Sequence, residues 1–564
     1  MFISVSALAQ TTATTPPNEA AQEALRRQEE RTRTQQQQAQ SKVDILTASE
    51  SKEDESDLPV ETPCFSIAKI TVVSGKNSQF EFLEQTTKAF LKHCIGVVGL
   101  SRIAAKLDAK LIDQGFITTR VSLGKQNLSD GQLIFNLHEG KIAEIVMSKN
   151  QGNEVRADDG WGTWKNAFPI APGKVLNIRD LEQGMEQMKR LSSQSVNTKI
   201  EPGEEADSSV VRIERQAGDV FDRLHGSVTV DNSGSQTLGR GQISAAGSLD
   251  NLLGLNDILS LSSNVNAADP NPHHRSYGVS TGYNIPWGYH SFNFSVNTNR
   301  FAQYVEGTTA RFLSSGKSNT SEMQWSCVVW RNASTKFAVQ SSISARSAES
   351  FLDDVELVVQ RRRTSNFEIG TSYKRFIDNG SIDFNLSYRV GTTWGKAQED
   401  YLSAANNGLT VRPSILSFSA GYNQSFSMLG KPVSLSSSMR GQFTRDTTLS
   451  IDQLSIGGRG SVRGFDGDNV LLAESGVILR NELSTAFASL FGIQSNAFVA
   501  LDYGRVSGAS AQYLLGRSLA GMALGVRGQW QKYFFDFSIA TPLLRPKRFH
   551  SDRFNPYFTI SYSM

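Results

Sequence analysis

The 564-residue sequence predicts a membrane all-β protein, a transmembrane β-barrel of about sixteen strands preceded by two small α+β units and an N-terminal polar helix. Three observations predict it. From about Asp222 to Met564, apolar and polar residues alternate with a period of two. Between Pro63 and Val220, helix-period and strand-period segments follow one another twice in a similar order. Ahead of both, Glu19 to Gln40 is rich in helix formers yet almost free of apolar residues.

The 57 basic and 55 acidic residues nearly cancel, so charge points to no nucleic-acid partner. No run approaches the roughly 20 apolar residues of a spanning helix; the longest candidate, Cys94 to Leu100, is far shorter. Membrane strands escape that test, because alternation averages their hydropathy away.

Residues 1–9 read as the remnant of an export signal, with Ala7-Leu8-Ala9 in the small-x-small form of a cleavage site. Residues 10–42 hold the polar helix. Asn18 is its N-cap candidate, and Glu23 with Arg27 and Glu29 with Arg33 are i,i+4 ion pairs. Leu25 is its only large apolar residue, so it is unsuited to an apolar core and suited to a wet channel, where it would span roughly 33 Å. Residues 43–62 are acidic and Ser-rich, as in a linker.

The first unit, residues 63–141, reads β-α-α-β-β: Phe65 to Val73, helical spacing over Phe80 to Lys92 and Ser101 to Gly115, then Ile117 to Leu123 and Gln132 to Leu137. Residues 142–220 suggest a similar unit from Ile142 to Met147, a helix over Asn177 to Leu191, and strands at Val196 to Ile200 and Ser209 to Glu214. Cys64 precedes a strand and Cys94 ends a helical run. In an oxidising compartment they form either a staple or two unrelated buried thiols. Cys327 is left over.

Residues 221–564 are the barrel. In Ser381 to Val390, Ile382, Phe384, Leu386 and Tyr388 alternate with Asp383, Asn385, Ser387 and Arg389. A soluble sandwich alternates too, but about 340 residues exceed one, and the second face carries the Ser, Asn, Gly and Arg of a hydrated lumen. At about 20 to 22 residues per strand and turn, the length gives roughly sixteen strands.

Inside this half, Ile456 to Phe465 (IGGRGSVRGF) stands apart. Such glycine density lets backbone turn sharply and approach a wall closely. Arg463, held between Val462 and Gly464 and followed by Phe465, needs a carboxylate partner if buried. Asn496 to Val506 supplies one. Val499, Leu501 and Tyr503 share one face and Phe498, Ala500, Asp502 and Gly504 the other, so Asp502 faces inward if the first face meets lipid.

The run Ser461 to Phe465 (SVRGF), with Phe498 to Gly504 (FVALDYG), resembles two motifs of the two-partner secretion transporters. Gly115-Phe116-Ile117-Thr118-Thr119-Arg120 followed by Gln126-Asn127-Leu128-Ser129-Asp130-Gly131 resembles a segment of that family's first POTRA domain. Asn284 to Gly288 (NIPWG) and Thr541 to Pro546 (TPLLRP) resemble an early-barrel strand end and the stretch before the last strand. The resemblance implies a plug helix, a linker, two POTRA domains and a sixteen-stranded barrel, with the Arg463 loop folded into the lumen against the strand bearing Asp502. It also implies a POTRA disulfide at positions like Cys64 and Cys94. Gly124-Lys125 stands where the family often has proline, and the chain ends in Met564 where outer-membrane barrels usually end in Phe.

The function so implied is export of a partner exoprotein (an adhesin, haemolysin or contact-dependent toxin) across a bacterial outer membrane, with the POTRA domains in the periplasm. The expected partners are that exoprotein, outer-membrane lipid and the barrel-insertion machinery, and the expected state is a monomer. A barrel-assembly factor is the alternative, although such relatives usually carry more POTRA domains; a diffusion porin would need neither these units nor the arginine loop. No catalytic site, metal or cofactor is expected. The seven His residues are scattered, no nucleophile elbow stands out, and no complete Gly-x-x-x-x-Gly-Lys-Ser/Thr phosphate loop is present.

Overall fold

The structure, a computed structural model, describes residues 44, 58–73, 78–151, 154–157, 160–267, 270–306, 310–402, 404, 408–490 and 493–564. The signal remnant and plug helix expected over 1–42, and most of the linker expected over 43–62, lie outside the described residues.

The first unit comprises β1 (Lys69–Val73), α1 (Glu81–Thr87), α2 (Val97–Asp113), β2 (Arg120–Leu123) and β3 (Gln132–His138). β3 is central, parallel to β1 and antiparallel to β2. Leu83 of α1 and Ile103, Leu107 and Leu111 of α2 pack on Ile70, Val72, Leu133 and Phe135 of the sheet. The four-residue spacing on α2 is what makes one face apolar.

Two local expectations are corrected here. α2 starts at Val97, four residues before Ser101, because a distant side chain caps it. Glu61 accepts hydrogen bonds from the N–H groups of Gly96, Val98 and Gly99 at 3.0, 2.8 and 2.7 Å. Cys94 does not end a helix. The preceding helical segment stops at Phe90, Lys92 reverses the chain at φ +66°, and Cys94–Ile95 pairs as a short strand with Phe65–Ser66.

The second unit comprises β4 (Lys141–Gln151), β5 (Glu154–Ala157), α3 (Ile178–Lys189), β6 (Gln194–Pro202) and β7 (Ser208–Ala217). β7 lies parallel to β4 and antiparallel to β6, the arrangement of the first unit. It departs by carrying one helix among the described residues, with β5 hairpinned onto β4. Among the described residues, strands β1 and β6 are sheet edges, each paired on one side only.

Sixteen antiparallel strands then close on themselves. They begin with β8 (Leu224–Asp231), β9 (Gln242–Asp250), β10 (Ile258–Asn266), β11 (Arg275–Trp287) and β12 (His290–Glu306). Next are β13 (Arg311–Arg331), β14 (Thr335–Leu352), β15 (Arg362–Ile377), β16 (Gly380–Thr392), β17 (Ser414–Met428) and β18 (Lys431–Phe443). The last five are β19 (Ser475–Leu490), β20 (Ile493–Ser507), β21 (Ser518–Trp530), β22 (Tyr533–Leu544) and β23 (Asn555–Ser563).

β23 closes the barrel on β8 from Ser227↔Ser563 to Asp231↔Thr559. Closure leaves no strand edge to be satisfied in hydrocarbon. Phe294, Val296, Ile343, Ile369, Phe384 and Leu386 point outward and are exposed, while Ser295, Asn299 and Ser318 are buried on the inner side. The barrel is thus apolar outside and polar within.

Candidate functional site

The chain between β18 and β19 runs back into the barrel and lies against the inner wall of β19 to β23. Arg463 sits at its turning point, buried. Its Nε and Nη2 donate to the two carboxylate oxygens of Asp502 on β20 at 2.7 and 2.8 Å, and its backbone N–H donates to the same carboxylate at 3.0 Å. Period-two alternation is what aims Asp502 inward. Val499, Leu501 and Tyr503 are exposed on the outer face, and Phe498, Ala500 and Asp502 are buried.

The neighbours of Arg463 in the sequence hold the loop to the wall. Val462 and Phe465 are fully buried, Phe465 edge-on to Phe549 with ring centroids 5.7 Å apart. Gly464 adopts φ +115°, and a Cβ there would lie 2.6 Å from the Thr541 carbonyl oxygen. The Tyr557 hydroxyl bridges the loop, accepting from the Gly464 N–H and donating to the Phe465 carbonyl at 3.2 and 2.7 Å. Gly504 leaves room for Val462, and Gly521 brings β21 so close that a Cβ would meet the Arg463 carbonyl oxygen at 1.8 Å. Phe498 stacks under the Arg527 guanidinium, 4.2 Å from the ring centre.

Sequence reasoning missed a second acid. Glu482 on β19 accepts from Arg463 Nη1 at 2.6 Å and pairs with Arg527 at 2.9 Å. Arg480 approaches Asp502 at 3.6 Å, and Asp536 approaches Arg527 at 3.4 Å. Loop and wall together therefore carry three arginines and three carboxylates in one array, so the charges compensate one another. At the loop's outer end, Arg240 reaches Asp468 at 2.7 Å, and Arg459 donates to the Phe558 carbonyl and Thr559 hydroxyl of β23.

A second constellation, also missed, joins the second unit to the barrel. Arg331, at the end of β13, is buried and donates to Gln183 and Glu186 of α3 at 2.7 and 3.0 Å. Gln183 and Gln187 donate to the Gly288 carbonyl in the turn between β11 and β12, and Tyr289 of that turn donates to Asp180 at 2.5 Å. Burial pushes the Asp180 carboxyl above its ordinary range despite the Tyr289 hydroxyl. The same burial, with Asp180 alongside, pushes the Tyr289 phenol up, so it stays a donor. Asn284 to Gly288 is thus the dock for α3; Arg190 at the helix end reaches Asn284.

Asp44 adds a third contact to this end. It lies against Lys336 and Lys374, inward-facing cross-strand partners on β14 and β15, and Lys336 also approaches Glu186 at 3.5 Å. Burial opposes ionisation of Asp44, but the two ammonium groups outweigh it and hold the carboxyl below its usual range.

Residues of the first-unit motif meet at the joint between the two small units. Gly115, at φ +96°, carries a carbonyl that accepts from the Ile178 N–H at 2.9 Å, and a Cβ there would strike Asn177, the N-cap of α3. Thr119 accepts from Gly140 N–H, Thr118 packs on Gly140, and Arg120 donates to the Thr119 carbonyl. Gln126 extends the sheet beyond β2 by pairing its side-chain amide with the N–H and C=O of Ile134. Leu128 packs on the first core, and Gly131, at φ +68°, takes hydrogen bonds from Ala68 and Lys69. Cys64 and Cys94 are joined by a disulfide. Among the described residues, no group of three or more His, Cys, Asp or Glu side chains is placed to hold a metal ion.

Comparison with known proteins converges on one group. Residues 207–528 match the family model described as haemolysin secretion/activation protein ShlB/FhaC/HecB. Residues 65–140 match an ShlB-type POTRA domain, and residues 141–202 match a further POTRA domain model. The chain is 31% identical to the outer membrane transporter CdiB-2 of Burkholderia pseudomallei over 525 residues, 89% of this chain and 87% of that protein. It is 25% identical to the hemolysin transporter protein ShlB of Serratia marcescens over 451 residues, covering 80% and 77%. Its structure is similar to that of CdiB from Escherichia coli, with a TM-score of 0.82 and 26% identity over 98% of this chain and 100% of that one. Apolar outside, polar within, and preceded by two POTRA domains, the chain belongs to the haemolysin secretion/activation protein family ShlB/FhaC/HecB, the outer-membrane transporters of two-partner secretion.

Proposed function

We propose that this transporter exports a toxin or haemolysin type of exoprotein, received unfolded at the POTRA sheet edges and conducted past the Arg463 loop. The observation that carries the reading is the pair of sheet edges, β1 and β6, left open among the described residues of the two POTRA domains. An extended peptide adds to such an edge because its N–H and C=O groups await partners. The substrate's own folding outside the cell supplies direction, and neither nucleotide, cofactor nor catalysis enters.

The same reading divides the chain into a signal remnant (1–9), plug (10–42), linker (43–62), POTRA domains (63–141 and 142–220) and barrel (221–564). A plug is supported by Asp44, two residues beyond it, standing on inward-facing lysines at the periplasmic end of the wall. The proposed working form is a monomer in outer-membrane lipid, placed there by the insertion machinery.

Co-expression with the exoprotein gene adjacent to its own tests the reading. Export of that product should require this chain, while other barrels assemble normally without it. Loss of barrel assembly in its absence, with no export in its presence, would instead identify an assembly factor.

A further inference from the structure

The outer wall carries a group of cations that transport does not use. On the lipid-facing side of β12 and β13, Arg300 and Lys317 stand directly opposite each other, flanked by Tyr277 on β11 and Glu349 on β14. One register step toward the periplasm, Arg363 of β15 faces outward opposite Ser347. Arg361 and Arg311 lie just above, Arg311 stacked 4.1 Å over the Tyr304 ring.

Their height is set by the strands. The row of Trp287, His290 and Cys327 lies at the periplasmic end of the outward face. Arg300 is ten residues from His290, and Lys317 ten from Cys327. At about 3.3 Å per residue and a tilt of about 40°, that is roughly 25 Å of rise, the height of a barrel's apolar band. Phe294, Val296, Met323 and Ile343 fill the interval and are exposed. Arg300, Lys317 and Arg363 therefore stand at the outer-leaflet headgroups.

Charge is left over there. Lys317 holds Glu349 at 3.0 Å, Arg361 holds Glu356 at 2.6 Å, and the Asp353 carboxylate accepts from the Leu313 N–H. Arg300 lies over the Tyr277 ring, at 6.0 Å, and neither it nor Arg363 has a carboxylate partner among the described residues. An exposed guanidinium at headgroup level, above an apolar wall, is matched by a phosphate borne on acyl chains.

We propose that Arg300, Lys317 and Arg363 form a binding site for the phosphate groups of an outer-leaflet glycolipid, its acyl chains lying on the Phe294–Met323 face. The site is independent of the export reading, since none of its residues faces the lumen.

The test is native mass spectrometry of the full chain in detergent, titrated with bis-phosphorylated lipid A, its dephosphorylated form, or inorganic phosphate. The triple variant R300A/K317A/R363A should bind bis-phosphorylated lipid A roughly 100-fold more weakly than the native chain. A control variant at the opposite rim, K431A/K532A, should bind as the native chain does. Retention of the folded, heat-modifiable gel mobility by both variants guards against misfolding. Equal affinity of native and triple variant would overturn the site. So would equal binding of the dephosphorylated lipid, which would mean acyl contacts alone, or displacement by millimolar inorganic phosphate, which would mean a free-anion site.

Discussion

Arg463 and Asp502 meet through three hydrogen bonds, two from the guanidinium and one from the backbone N–H of Arg463 itself. The side chain and main chain of the loop's turning point are thus tied to one carboxylate. Breaking a buried pair by removing one partner costs about 3–5 kcal/mol, since the other charge is left behind. Here that cost falls on the loop, because the sixteen-strand hydrogen-bond ladder is unaffected. Arg463→Ala and Asp502→Ala are each expected to reduce secretion at least tenfold while the barrel stays inserted, read from exoprotein in the medium against heat-modifiable barrel in the membrane fraction. Undiminished export by both variants would dismiss the contact as incidental.

This pair was legible in the sequence because β20 alternates cleanly, leaving Asp502 among inward residues. Glu482 was not legible. Its strand β19 passes through Val477, Ile478 and Leu479, and Ile478 is buried inward beneath the loop while Leu479 faces out. Apolar residues on both faces erase the period-two signal. The dock of α3 was hidden for a related reason. Gln183, Glu186 and Gln187 look like a solvated helix face, yet all three are buried against Arg331 and the Gly288 carbonyl. Pattern reading assigns polar side chains to water unless a distant partner is known. Glu61 capping α2 across more than thirty residues is another case.

That dock has its own pH dependence. Asp180 has its carboxyl pKa raised above the ordinary 3.8, chiefly by burial. A raised carboxyl favours the docked state while protonated, and that contribution fades as pH rises through the raised value. Ionisation of Asp180 therefore weakens docking, whereas an amide would still accept from Tyr289. Asp180→Asn should slow hydrogen exchange in α3 at pH 7, and the gain over native should shrink toward pH 4. Faster exchange at pH 7 would contradict the burial argument. Arg331→Ala should do the reverse, taking its donors away from Gln183 and Glu186 and speeding exchange in α3 at least tenfold.

Cys64 and Cys94 close a loop with a sequence separation of 30. Chain-entropy arguments give such a link about 3–4 kcal/mol, acting mainly on the unfolded first POTRA domain. Replacing both cysteines with serine should let limited proteolysis cut that domain at lower temperature while the barrel's heat-modifiable shift stays unchanged. An unaltered proteolysis profile would place the domain's stability in the Leu83–Ile103–Leu133 core alone.

Asp44 stands on Lys336 and Lys374, and Lys336 in turn reaches Glu186 of α3, so one cluster touches the chain ahead of the POTRA domains, the barrel wall and the second POTRA domain. Without Asp44, the two lysines would face each other across neighbouring strands with Glu186 as the carboxylate near Lys336, and like charges repel there. If the segment ahead of Asp44 occludes the lumen, the cluster is what retains it. Asp44→Asn should then raise the frequency of open-channel events in planar bilayers several-fold, and Asp44→Lys should raise it further. Because Lys336 and Lys374 are only partly buried, molar salt should shift the native chain toward the Asp44→Asn behaviour and change the variant little. Closed-channel records from Asp44→Lys matching the native chain would show that the lysines do not hold the plug.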